Sequence, residues 1–221
     1  MKLVKASLSI LTAILILSGC LDYKEKMKLN SDLSGEIQFS IGISEQLFNL
    51  GSNSPEMKDF NEEKLKENYS KKEGIRFISS RSYSEAGNRW IEVKIAFKDI
   101  EHLMNATEDS TQKGLTGQIS LIEKDNGEIV FTRNIFENES KKDTTADDLS
   151  KGMMNMMFGN FSWKYELIVP GEIISSNADS IVQSTNTVYW SFPLSSLSQQ
   201  KLMTVTFRAD KGSTLIKYIS G

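Results

Sequence analysis

The chain has 221 residues, with 26 Lys and Arg against 29 Asp and Glu, a formal charge of −3, 39% hydrophobic residues and 25% charged residues. That composition describes a folded chain and excludes a nucleic-acid partner, which needs a clustered basic surface. A single cysteine excludes an internal disulfide, and a single histidine leaves little for metal or acid–base chemistry.

The start of the chain carries its clearest signal. Lys2 and Lys5 precede an apolar run from Ala6 to Leu17, which ends in Leu17-Ser18-Gly19-Cys20. A basic start, a short apolar stretch and small residues before a cut describe a secretory signal, whereas a spanning helix needs about 20 apolar residues. Cleavage before Cys20 removes residues 1–19 with their two lysines and leaves a formal charge of −5. The Leu-Ser-Gly-Cys run resembles the lipobox of bacterial lipoprotein precursors. That resemblance implies acylation of Cys20 on its sulfur and freed amino group, in place of an ordinary buried thiol or an uncleaved apolar anchor. Two or three acyl chains hold a protein stably, at about 0.8 kcal/mol per buried CH₂. The expected location is the exported side of a cell membrane or outer membrane, with palmitate on Cys20.

Residues 20–22 read as the acylated cysteine and a short tether, and 23–209 as one domain. Tyr23 to Leu29 alternates in period two, Asn30 to Ser34 makes a turn, and Ile37, Phe39, Ile41 and Ile43 line one face of the next strand. These two strands pair as a hairpin. Its start lies within about 10 Å of the headgroups, since each residue spans at most ~3.3–3.6 Å. Lys24, Lys26 and Lys28 share a face of the first strand. They either meet anionic headgroups or guard an exposed or edge strand against pairing.

Ser54-Pro55 reads as the cap and first turn of a helix to about Tyr69, ended by Gly74. Ile75 to Tyr83 and Arg89 to Phe97 form a second hairpin around Glu85-Ala-Gly-Asn88, and Asp99 caps a short helix from Ile100 to about Ala106. After a polar loop, Thr107 to Gly114, a third hairpin joins Gln118–Lys124 to Glu128–Phe136 through Asp125-Asn-Gly127. Glu137 to Asp143 is a solvated charged stretch, and a helix runs from Thr144 or Thr145 to about Phe158. Phe161 to Val169, Ile173 to Ser175, Thr187 to Phe192 and Leu202 to Arg208 are strands, Ser195 to Gln200 is a connector, and residues 210–221 form a tail too short to span a bilayer. Hairpins followed by helices and a closing meander predict an α+β fold: an antiparallel sheet built from successive hairpins, with two or three helices packed on it.

The chemistry-bearing inventory is sparse. His102 reads as a surface or helix-cap histidine, and no phosphate loop, zinc-type cysteine pair or His-Glu-x-x-His run implies a cofactor or metal. Asp125 to Glu128 lacks the alternating ligands of a calcium loop. The candidate ligand-binding residues are Met153, Met154, Met156, Met157 and Phe158, a flexible, polarizable set. They either fill the core between helix and sheet or line a groove for a lipid or a protein.

From Trp163 the chain reads Trp-Lys-Tyr-Glu-Leu-Ile-Val-Pro-Gly-Glu-Ile, then Ser-Asn-Ala around Asn177, Val188-Tyr-Trp-Ser-Phe192 and a strand ending at Phe207-Arg208. This segment, with the Asp-Leu-Ser-Gly35 turn near the start, resembles the closing and opening segments of LppM-like bacterial lipoproteins. The resemblance implies an envelope-anchored α+β domain with a role in lipid or glycolipid binding, and supplies no catalytic residues. Relatives carry a second hydrophobic segment near the carboxyl end, which is not found here. The expected protein is a non-enzymatic lipoprotein that binds a lipid or other apolar ligand at the bilayer surface. An assembly subunit with an envelope protein partner is the alternative, and a hydrolase using His102 the third reading.

Overall fold

The computed structural model describes residues 21–51, 62–108, 117–135, 162–193 and 201–209. The chain begins there with a strand β1 (Leu21–Leu29), which turns into β2 (Gly35–Ser44). Two short helices follow, α1 (Glu45–Gly51) and α2 (Glu62–Ser70), then a hairpin of β3 (Ile75–Glu85) and β4 (Asn88–Phe97), and helix α3 (Ile100–Glu108). The remaining strands are β5 (Gln118–Glu123), β6 (Glu128–Ile135), β7 (Ser162–Ile168), β8 (Gly171–Ser176), β9 (Ser180–Val182), β10 (Thr187–Pro193) and β11 (Lys201–Ala209).

These strands form two sheets, one of seven strands in the order β3-β4-β2-β1-β7-β10-β9 and one of four in the order β5-β6-β11-β8. Alternation decides which side of each strand is covered. Tyr23, Met27 and Leu29 are buried while Lys24, Lys26 and Lys28 are exposed, and Trp163, Tyr165 and Leu167 do the same on β7. Ile129, Phe131 and Ile135 on β6 and Met203, Val205 and Phe207 on β11 join them in one hydrophobic core shared by both sheets. Full burial of each such aliphatic or Phe side chain is worth roughly 1.5–3 kcal/mol. The fold is thus a mostly β sandwich.

The α+β expectation is therefore corrected. The described helices have seven, nine and nine residues and lie at the margins of a strand-dominated structure. Their short apolar stripes give only a few side chains to the core, among them Leu65, Tyr69, Leu103 and Ala106. The third hairpin does not extend the first sheet either. It pairs through β6 with β11, which starts the second sheet. The expected all-antiparallel arrangement fails at the centre, where β1 and β7 run parallel with Asp22 opposite Ser162. The closing strands do not form a meander but alternate between sheets: β7, β9 and β10 belong to the larger sheet, β8 and β11 to the smaller. Pro170 and Gly171 make the first of these switches. Gly171 is needed there, because a Cβ would lie 2.0 Å from the Arg208 carbonyl oxygen.

The hairpins themselves follow their sequence signals. Ala86 and Gly87 both have positive φ (51° and 79°), the geometry of a tight two-residue turn between β3 and β4. At the β5–β6 turn Gly127 has φ 75° and the Asn126 side chain accepts a hydrogen bond from the Glu128 amide at 3.1 Å. The predicted helix beginning at Ser54 is described only from Glu62 onward, and α1 was not anticipated. Residues 1–20, the charged stretch 137–143, the methionine-bearing segment 144–158, the connector 195–200 and the tail 210–221 lie outside the described residues.

Candidate functional site: the lysine face of the larger sheet

Register places Lys24, Lys26 and Lys28 of β1 on the face of the larger sheet that turns away from the core. Opposite them on β2 stand Ser40, Gln38 and Glu36, and beyond those on β4 stand Glu92, Lys94 and Ala96. On the other side β7 contributes Lys164, Glu166 and Ile168. The edge-guard reading of the lysines is corrected by this arrangement, since β1 has a hydrogen-bonded neighbour on each side and presents no free edge.

A groove of about 320 Å³ runs along this face, lined by Lys26, Lys28, Glu36, Gln38, Lys94 and Ile168. Lys26 pairs with Glu166 at 2.9 Å and Lys94 with Glu36 at 2.7 Å. The hydrogen bond from Lys94, helped by the charges of Lys94, Lys28 and Arg76, holds the Glu36 carboxyl below the usual carboxylate range. Lys28 has no ion pair among the described residues, so the groove floor keeps a net positive field.

Nearer the start of β1, an aromatic ladder crosses the same face. The Lys24 ammonium sits 3.9 Å above the Trp90 ring, Tyr83 stacks beside Trp90 with centroids 6.5 Å apart, and the Arg81 guanidinium lies 4.8 Å from the Tyr83 ring centre. Arg81 also binds Glu92 through 2.7 and 3.0 Å hydrogen bonds, which raises its already high pKa. Trp90 is only 4% exposed although it belongs to the outer face, because it lies flat across Gly42. A Cβ at Gly42 would come within 2.8 Å of the indole.

Between the sheets the structure has a polar feature that sequence reasoning missed. Glu25, buried on the inner face of β1, receives two hydrogen bonds from Arg133 of β6. The guanidinium lies 4.6 Å from the Tyr165 ring centre and 5.2 Å from that of Trp163. Burial pushes the Glu25 carboxyl up against the opposing pull of Arg133, and burial with the nearby Glu25 pushes the Tyr23 hydroxyl far up. Burial opposes the Arg133 charge, but Glu25 and Tyr165 more than offset it and keep it protonated. Beside the pair is a cavity of only about 10 Å³, room for about one water. The signal was present: Glu25 is in phase with Tyr23, Met27 and Leu29, and Arg133 with Phe131 and Ile135.

The resemblance residues have a structural explanation. Asn177 accepts hydrogen bonds from the Trp190 indole at 3.1 Å and the Thr204 amide at 2.9 Å, and donates to the Leu202 carbonyl at 2.7 Å. It therefore ties β10 of the larger sheet to β11 of the smaller. His102 is engaged at a helix start: Asp99 accepts from its backbone amide at 2.9 Å and contacts its Nδ1 at 2.7 Å, while the ring packs on Gly74. Among the described residues no group of three or more His, Cys, Asp or Glu gathers to hold a metal. Cys20, Met153, Met154, Met156, Met157 and Phe158 lie outside the described residues.

No family model matches the chain, and no curated protein matches it. Among solved structures it is similar to the NMR structure of the folded domain of LppM from Mycobacterium tuberculosis, with 13% identity, 90% of this chain and 95% of that chain covered, and a TM-score of 0.49.

Proposed function

We propose that the chain is a non-enzymatic envelope lipoprotein, cleaved after Gly19 and acylated at Cys20, with one domain to residue 209 that opens on β1, so that Leu21 and Asp22, expected as a tether, belong to the sheet, and that binds a lipid or other apolar ligand at the bilayer surface. The observation that carries the reading is the position of β1. Its first residue, Leu21, directly follows Cys20, and the strand is the middle one of seven. An acyl chain at Cys20 therefore pulls on the centre of a rigid sheet with no linker between. Among the described residues no helix is long and apolar enough to cross a membrane, so the anchor in this reading is the acyl group.

Met153, Met154, Met156, Met157 and Phe158 are the proposed ligand contacts. Chain connectivity supports this assignment. The stretch ends a few residues before Ser162, which opens β7, runs parallel to β1 and donates its hydroxyl to Asp22 at 3.2 Å. The described chain thus resumes after this stretch at the end of β7 that lies beside the start of β1. The cavity beside Glu25 and Arg133, about 10 Å³, is too small for an acyl chain.

The test is mass spectrometry of lipids that co-purify with the chain from Leu21 onward, exported behind a cleavable signal that adds no lipid. The reading expects a bound lipid that Met154→Ser and Met157→Ser deplete. Recovery of an envelope protein and no lipid would replace ligand binding with an assembly role.

A further inference from the structure

We infer that the lysine face of the larger sheet is the surface on which the protein lies against anionic phospholipid headgroups. The inference rests on the acyl anchor proposed above and adds an orientation to it. Three observations support it.

Helices α2 and α3 leave this face open. Leu65 and Tyr69 of α2 and Leu103 and Ala106 of α3 pack into the core, on the opposite side of the sheet from Lys24, Lys26 and Lys28. The groove on the open side has three ammonium groups against the carboxylates of Glu36 and Glu166, which pair with Lys94 and Lys26 and leave Lys28 in excess, on a chain whose formal charge is negative. Its lysines are complementary to phosphate, and Ile168 adds an apolar wall.

Reach then selects the orientation. Alternate residues of a strand advance by about 6.6 Å, so the three lysines of β1 lie roughly 13, 20 and 26 Å along the strand from Cys20. Electrostatic attraction to headgroups fades within about 8 Å at physiological salt. A domain standing on end would leave all three beyond that range. Lying on the lysine face brings all three into it, with each lysine strengthening surface binding by about five-fold.

Because the only native cysteine is Cys20, a new cysteine in the acylated full-length protein takes a fluorophore at one site. Gln38→Cys labels the groove and Thr206→Cys labels the far face of the smaller sheet. The labelled proteins are reconstituted in vesicles of phosphatidylcholine alone or mixed with phosphatidylglycerol, with a headgroup-attached quencher. Quenching at position 38 only, dependent on phosphatidylglycerol and reduced by high salt or by Lys26→Gln with Lys28→Gln, is the expected result. Glu36→Gln, which adds one net positive charge, should increase it. Vesicle attachment with position 38 in water, or with position 206 quenched instead, overturns the orientation and leaves the anchor standing. Failure to attach to either vesicle overturns the anchor, and the orientation falls with it.

Discussion

Glu25 and Arg133 are 108 residues apart in the chain and join the two sheets through paired hydrogen bonds, with side chains 0% and 1% exposed. Breaking such a buried pair from one side leaves a bare charge, which costs about 3–5 kcal/mol. Glu25→Leu and Arg133→Met should each lower stability by about that amount. Glu25→Leu combined with Arg133→Met should lose far less than the two single losses together, because no charge is left unpaired. Urea denaturation of the four proteins measures the coupling, and additive losses would show that the pair does not act as a unit.

Trp190 and Asn177 make a second tie between the sheets, through a 3.1 Å hydrogen bond from the indole. Asn177→Ala leaves the Trp190 donor and the Thr204 amide without their acceptor and should cost about 1–3 kcal/mol. Trp190→Phe removes one donor together with its need for a partner and should cost less. Paired thermal melts check the order. A harmless Asn177→Ala would mean that water replaces the side chain.

Gly42 and Gly127 differ in why they are glycine. A side chain at Gly42 collides with the Trp90 indole, whereas a Cβ at Gly127 meets nothing within 4 Å but sits at φ 75°. Gly42→Val should expel Trp90 from under Lys24, red-shift tryptophan emission and cost about 1–3 kcal/mol. Gly127→Ala should cost about 1 kcal/mol through backbone strain and leave the emission unchanged.

Glu36 sets a small acid sensitivity. Its carboxyl is held below the ordinary range by the hydrogen bond from Lys94 and the neighbouring positive charges. A folded-state pKa below the unfolded one gives stability that is present above the unfolded pKa and lost as pH falls through the folded one. The side chain is 39% exposed, so solvent screening limits the effect to about 0.2–1 kcal/mol. Glu36→Gln should narrow the stability difference between neutral and acidic solution by that amount, read from denaturation midpoints.

Local structure was largely readable in the sequence. Period-two alternation located the hairpins, and Asp125-Asn-Gly127 and Ala86-Gly87 turn the chain where their residue types demand. Long-range pairing was not readable. Nothing between Tyr23 and Leu29 tells that β1 will take β7 as a parallel neighbour, because register between distant strands is chosen by the whole core. The helices were overrated for the opposite reason: a short apolar stripe marks a helix but not how little of the core it covers. Glu25 and Arg133 carried a signal, a charge in phase with apolar residues, that acquires meaning only when two such charges meet. Of the candidate site, the shared face of Lys24, Lys26 and Lys28 was legible, while Lys94 and Ile168 joined it through strand pairing.

The central claim, an acyl chain fixed at the start of the middle strand, is tested most directly by mass spectrometry of the amino-terminal peptide of the protein isolated from its native membrane. The account predicts that the peptide begins at Cys20 and carries the mass of acyl groups, lost together with membrane attachment in Cys20→Ala. An amino terminus elsewhere, or Cys20 with a free thiol on a protein that remains in the aqueous fraction, would contradict it.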